Sequence, residues 1–224
     1  MASSTSSRRR QLSDEVASYL RQAIMAGELA PGASVRPEAV GEELEVSATP
    51  VREALQALRV EGFLELLPRK GFRVVPLVAD DIRDIFEAHA LIAGELSARA
   101  AKRASKGQKD SLLALHRDLM DAAEHGNHEM LERKNHEFHK FVYRVSSSER
   151  LRWALGNFAK YVPRAFYAQI EGWPETTAAD HSAVMDAIIA NDPEAARLAM
   201  AQHIRNSGEK LAEYFEGRQS GAGQ

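Results

Sequence analysis

The chain is expected to be mainly α: an N-terminal winged helix-turn-helix with a small β-hairpin wing, then an antiparallel helical bundle. Three observations lead there. Apolar residues recur at helical spacing through most of the 224 residues. A capped amphipathic helix near Pro50 is followed by a strand–turn–strand pattern. From Asp80 onward, breaks at Gly and Pro separate helical runs of bundle length, with no internal repeat.

The first helical pattern runs from Leu12 to Ala26, with Val16, Tyr19, Leu20 and Ile24 as its stripe and Ser13 and Asp14 at its start. Gly27 to Gly32 breaks it. Pro37 to Leu44 reads as a second, short helix with Val40 and Leu44 inward. The third follows Val46-Ser47-Ala48-Thr49-Pro50. There Ser47 or Thr49 can cap free backbone N–H groups, and Pro50 suits a first turn, where its missing N–H costs nothing. Val51, Ala54, Leu55 and Leu58 share its apolar face, while Arg52, Gln56 and Arg59 share the other.

Phe63 to Leu67, a turn at Pro68-Arg69-Lys70-Gly71, and Phe72 to Val75 form the expected hairpin. A short helix that opens with hydroxyls and presents Arg and Gln suits a DNA major groove, and a basic-tipped hairpin suits the flanking backbone. Taken alone, the third helix reads rather as an ordinary amphipathic helix with a solvated face. Its neighbours favour the DNA reader. The candidate DNA-binding residues are Ser47, Thr49, Arg52, Gln56, Arg59, Arg69, Lys70 and Gly71.

Val46-Ser47-x-Thr49-Pro50-Val51-Arg52-Glu53-Ala54-Leu55-x-x-Leu58-x-x-Glu61-Gly62-Phe63, then Arg69-Lys70-Gly71-Phe72-x-Val74, resembles the GntR family of bacterial transcription regulators. The resemblance covers roughly Gln11 to Pro76 and implies that Arg52 contacts DNA. Ala48 stands where the family often has Arg.

Composition fits a positioned reader rather than a charge-driven one. Net charge is −3, and Met1 to Ala79 holds ten Lys or Arg against ten Asp or Glu. Positive charge is instead local, on Arg52, Arg59, Arg69, Lys70 and Arg73. There are no cysteines, which excludes disulfides and Cys-held zinc and fits a reducing bacterial cytoplasm. No apolar run approaches the ~20 residues of a membrane span, and the start lacks a signal-peptide core. The expected layout is a disordered basic tail at 1–10, a winged helix domain at 11–76, a linker at 77–80, a helical effector-binding and dimerisation domain at 81–216, and a disordered tail at 217–224.

In the bundle, the first helix starts at Asp80 and Asp81 and carries Ile82, Ile85, Phe86, His89, Ile92 and Leu96 inward. Further helices are expected from about Gln108 to His125, His128 to Val145, Ser148 to Ile170 (interrupted or kinked at Pro163), Ala178 to Ala190, and Pro193 to Phe215 with Asp192 as its cap. Trp173-Pro174 is expected to open a connection.

All eight histidines lie in this second part. His116, His125, His128 and His136 fall at polar or helix-end positions and are expected to be solvated. His139, with Asn135 one turn before it, His181 and His203 lie on the inward faces of three helices. They read either as separately satisfied core histidines or as one metal site, since imidazole suits Zn, Ni, Cu or Fe.

Asn135-x-x-Phe138-His139, Asp180-His181-x-x-Val184-Met185-Asp186-Ala187-Ile188 and Ala196-Arg197-x-x-Met200-x-x-His203-Ile204 resemble the FCD ligand-binding domain, the effector domain of the FadR subfamily of GntR regulators. Many members hold a divalent metal with one Asp and three His, and the metal helps bind a small carboxylate. The resemblance therefore implies that Asn135, His139, His181 and His203 hold a divalent metal, with Zn, Ni or Mn as candidates. Asn135 replaces the usual Asp; its neutral amide leaves the site one charge more positive. His89 and Ala93 stand where the family commonly has an Arg and a Glu lining the cavity. His89, Asn135 and Arg164 are the effector-binding candidates; His89 also reads as a hydrogen-bonded core histidine, and Arg164 as a surface arginine.

The expectation is a transcription regulator and not an enzyme: a homodimer on a near-palindromic double-stranded operator, answering to a small organic acid. Two rivals remain. One is a metal-dependent enzyme with a three-His site, which lacks a clear general base because Glu137 points away from His139. The other is a purely structural metal site.

Overall fold

The computed structural model describes residues 2–161 and 173–221, with side chains for 7–161 and 176–217. The chain divides into two compact units, 1–77 and 78–224.

In the first unit, helix α1 (Ala2–Ala26) is followed by strand β1 (Ser34–Val35), α2 (Pro37–Glu43), α3 (Ala48–Val60), β2 (Leu64–Leu67) and β3 (Gly71–Val74). Of the tail expected at 1–10, residues 2–10 belong to α1. β1 was not foreseen. It makes the wing a three-stranded antiparallel sheet in the order β1-β3-β2, with Val35 opposite Phe72 and Leu66 opposite the same Phe72 on its other side. Gly71 adopts φ +92° at the turn, and a side chain there would approach the Val35 carbonyl at 3.0 Å.

The apolar face of α3 is buried as its spacing requires: Val51, Ala54, Leu55 and Leu58 are inaccessible to solvent. They meet Val16, Leu20 and Ile24 of α1 and Phe63 in one small core. Tyr19 departs from the expected stripe. It is exposed, and its hydroxyl donates to Glu43 at 3.0 Å. Between α2 and α3 the chain turns tightly: Val46 N–H donates to the Gly41 carbonyl at 2.8 Å, and a Cβ on Gly41 would lie 2.7 Å from the Val46 oxygen. Arg21 of α1 reaches Glu61, just past α3, at 2.7 Å and lies over the Phe63 ring.

The second unit comprises α4 (Ala79–Arg103), α5 (Lys106–Glu124), α6 (His128–Val145), α7 (Glu149–Phe158), α8 (Trp173–Ile189) and α9 (Pro193–Gly221). Sequence-coded caps set several starts. Ser105 and Gln108 form a reciprocal capping box at α5, Asn127 accepts from Met130 N–H at α6, and Asp192 accepts from Ala195 N–H at α9. Two boundaries differ from expectation. α7 ends at Phe158 in a 3-10 turn, Ala159–Tyr161, and Pro163 lies outside the described residues. Trp173-Pro174 begins α8 rather than a connection, because proline fits a first helical turn.

α4 and α9 pack along a seam of small residues, including Ala90, Ala93, Gly94, Ala201 and Gly208. A Cβ on Gly94 would meet the Arg197 carbonyl at 2.9 Å, and one on Gly208 would meet Phe86 Cβ at 2.5 Å. That closeness brings α9, with His203, against His89 of α4. Ion pairs Arg83–Glu209, Arg205–Glu87 and Arg197–Glu95 flank the seam. Each remains about a third to a half open to solvent, so its contribution to stability is small.

Candidate functional site

Three imidazoles meet inside the second unit. α6 supplies His139, α8 supplies His181 and α9 supplies His203, and one ring nitrogen of each lies within 4.8 Å of the others. His139 Nε2 is 3.1 Å from His203 Nε2. The His181 ring centroid lies 4.4 Å from that of His203 and 5.0 Å from that of His139. Phe138 stands edge-on to His181 at 4.7 Å and walls the cluster.

The partners of the other ring nitrogens suit the Nδ1–H tautomer of each ring. His181 Nδ1–H donates to the Thr177 carbonyl at 2.6 Å, so its Nε2 carries a lone pair. His203 Nδ1–H faces the Asp180 carboxylate at 3.3 Å. His139 Nδ1 is 3.1 Å from the Tyr143 hydroxyl, which itself donates toward Met200 Sδ and so accepts from His139. In that tautomer each ring turns its Nε2 inward as a lone-pair donor. His181 Nε2 and Asn135 Oδ1 are buried, and neither has a hydrogen-bond partner among the described residues. His139 Nε2 and His203 Nε2 share one 3.1 Å contact, and a cation would satisfy these two nitrogens together with His181 Nε2 and Asn135 Oδ1. This donor set fits a divalent metal, with the Thr177 carbonyl, Asp180 and Tyr143 orienting the rings from behind.

Burial, and then the neighbouring imidazoles, hold His139 and His181 well below the usual imidazole range, so both are neutral and able to ligate. Burial pushes the Tyr143 phenol upward, which keeps it a neutral hydrogen-bonding group. Burial alone would raise Asp180, but hydrogen bonds from His203 and Asn206 outweigh it and keep the carboxylate charged.

His139, His203 and Asn135 open onto a cavity of about 280 Å³. His89 forms part of its wall, almost fully buried, with Nδ1 unpaired among the described residues. Burial, then the nearby His203, lowers the His89 pKa to about 4. Lys140, Arg144 and Arg152, all exposed, add positive charge to the same cavity. Arg164 lies outside the described residues. Glu137 is turned to Lys134 at 3.3 Å.

Of the histidines expected to be solvated, His116 is instead half-buried, with Nε2 3.1 Å from Ser182 Oγ, because α5 packs on α8. His125, His128 and His136 are exposed. Sequence reasoning missed Tyr143 and Asp180. Tyr143 was within reach, being one helical turn after His139. Asp180 is next to His181 in sequence yet serves His203, a relation only the tertiary fold creates.

In the first unit, Ser47 occupies the N-cap position of α3 without a side-chain capping bond. Ser47, Thr49, Arg52, Gln56 and Arg59 are all exposed. Arg69, at φ 64°, and Lys70 lie in the turn between β2 and β3, and Gly71 opens β3. Arg52 donates to Glu38 of α2 at 2.7 Å.

Residues 84–206 match the FCD domain model, and residues 12–74 match the model of bacterial regulatory proteins of the gntR family. A probable D-xylose utilization operon transcriptional repressor of Paenarthrobacter nicotinovorans is 29% identical, over 88% of this chain and 87% of its own length. An HTH-type transcriptional regulator in an unstable DNA locus of Streptomyces ambofaciens is 30% identical, over 83% of this chain and 79% of its own. The solved structure of E. coli McbR/YncC aligns with a TM-score of 0.70 at 23% identity, over 91% of this chain and 98% of that one, a likeness of fold.

Proposed function

Because the chain belongs to the gntR family of bacterial regulatory proteins and carries an FCD domain, it is a DNA-binding transcription regulator, and we propose that a metal-assisted organic-acid site controls its operator binding. The family and the relatives named above are regulators of transcription rather than enzymes.

In this reading α3 enters the major groove. Arg52 reads a guanine edge with two N–H donors, Gln56 and Arg59 extend the contact, and Ser47 and Thr49 meet phosphates at the helix start. Arg69, Lys70 and Gly71 meet the flanking backbone from the wing. Residues 11–76 form the DNA-reading part and 81–216 the effector-binding and dimerising part. The chain acts as a homodimer on a near-palindromic operator, because one small head buries too little surface for tight specific binding. The cytoplasm is the compartment this reading requires.

His139, His181, His203 and Asn135 would hold the divalent metal. When bound, it supplies a Lewis-acid point for one carboxylate oxygen. The chain's own groups do the rest. Asp180 and the Thr177 carbonyl hold two rings in the ligating tautomer. His89 contacts the effector's remaining polar atoms, Arg164 is its candidate anion partner, and Lys140, Arg144 and Arg152 attract an anion to the cavity. The observation that supports the reading is the convergence of the three imidazoles, with Asn135, whose Oδ1 has no partner among the described residues, lining the same cavity as His139 and His203. Control then follows from a difference in effector affinity between two states of the regulator, without which no ligand shifts DNA binding.

The test is operator binding of metal-loaded protein across a panel of small organic acids, beside the double variant His181→Ala, His203→Ala. The wild type responds to at least one acid, and the double variant binds DNA but responds to none. A double variant that responds as the wild type does contradicts the reading.

A further inference from the structure

We infer that Glu38 is a specificity residue of the DNA-reading surface, holding the Arg52 guanidinium in one orientation and away from phosphates. The inference rests on the reading of Arg52 given above. It starts from an unfavourable feature: a carboxylate standing on a surface that must approach a polyanion.

The tight turn beneath Gly41 brings Glu38, near the start of α2, to 2.7 Å from the Nη2 of Arg52 on α3. Both side chains are about two-thirds exposed, at 67% for Glu38 and 64% for Arg52. So exposed a pair adds little to folding, and fold stability does not account for it. Its effect lies in what it does to Arg52. A free arginine on a DNA face turns to whichever phosphate is nearest, and that contact is blind to sequence. With one N–H held by Glu38, the planar fork is fixed, and other donors remain to meet O6 and N7 of one guanine. Meanwhile the carboxylate repels phosphates of every sequence equally. Hydrogen bonding from its own backbone N–H, and then from Arg52, keeps Glu38 below the usual carboxylate range, so it stays charged. The predicted result is weaker binding to all DNA and sharper discrimination.

The test uses the full chain and two duplexes: one selected by the wild type from a random library, and a scrambled duplex of the same composition. Glu38→Ala is expected to bind the scrambled duplex more tightly. Its log–log salt dependence steepens by about one phosphate contact. Its selected-to-scrambled affinity ratio falls about tenfold, the scale of one bidentate base contact. Glu38→Gln, which keeps an acceptor but no charge, falls between the two. In the double variant with Arg52→Ala the Glu38 effect on the ratio disappears, since it acts through that arginine. A ratio and salt slope in Glu38→Ala equal to the wild type overturn the inference. Arg52→Ala alone separates the two failures. If it keeps the wild-type ratio, the assignment of α3 as reader fails. If it loses the ratio while Glu38→Ala does not, only the role of Glu38 fails.

Discussion

Replacing His89 with leucine will make the helical domain less sensitive to acid. The folded protein keeps this ring neutral, with a pKa near 4, by burial and by the nearby His203. An unfolded chain protonates it at about 6.5. As pH falls below that value, the unfolded state takes up a proton that the folded state refuses, so stability falls. Once pH passes below 4, both states are protonated and the loss levels off. At roughly pH 4.5 the loss from this group is about 2.5 kcal/mol relative to neutral pH. His139 and His181 act in the same direction, so the wild type loses more than this in total. The difference between wild type and His89→Leu isolates the His89 part. At neutral pH the variant should be no less stable, because leucine removes a buried nitrogen that has no partner among the described residues. The assay is urea unfolding by circular dichroism on chelator-treated protein at about pH 7.5 and 4.5. Equal losses in the two proteins, within the ~0.5 kcal/mol at which such differences add, would show that His89 carries none of the acid sensitivity.

Three further outcomes are expected. Arg52→Ala lowers affinity for a selected operator by about 1–3 kcal/mol in gel shift at moderate salt, with the melting temperature unchanged. Gly208→Ala forces a methyl against Phe86 across the α4–α9 seam and costs about 1–3 kcal/mol in thermal unfolding; an unchanged melting temperature would contradict the packing described. Asp180→Asn removes the charge behind His203 and weakens metal binding in calorimetry by about 10–100-fold. DNA binding by that variant without effector should match the wild type.

What could be read from the sequence was what local chemistry encodes. The face of α3 followed from the spacing of Val51, Ala54, Leu55 and Leu58, and the cap at Asp192 marks its helix directly. Elements created by distant pairing were not legible. β1 is two residues long, carries no period, and exists because Val35 and Ser34 pair with β3. Tyr19 occupies a position of the expected stripe, yet its hydroxyl finds Glu43 on another helix and the ring stays outside. In the second unit, helical spacing put His139, His181 and His203 on inward faces but left open whether they met. The fold brings them together, with Asn135 beside the cavity that His139 lines. The groups that orient the rings were hidden for the same reason: Asp180 reaches His203 across the contact between α8 and α9.

The three imidazoles are expected to form one metal site rather than three separate core residues. Elemental analysis tests it most directly, on protein purified without chelator and resupplied with Zn, Ni or Mn, with His181→Ala, His203→Ala treated alongside. About one divalent ion per chain is expected in the wild type and none in the double variant, with affinity falling in acid as protons compete for the ligating nitrogens. A wild type that binds none of these metals, or a double variant that binds as much, would contradict it.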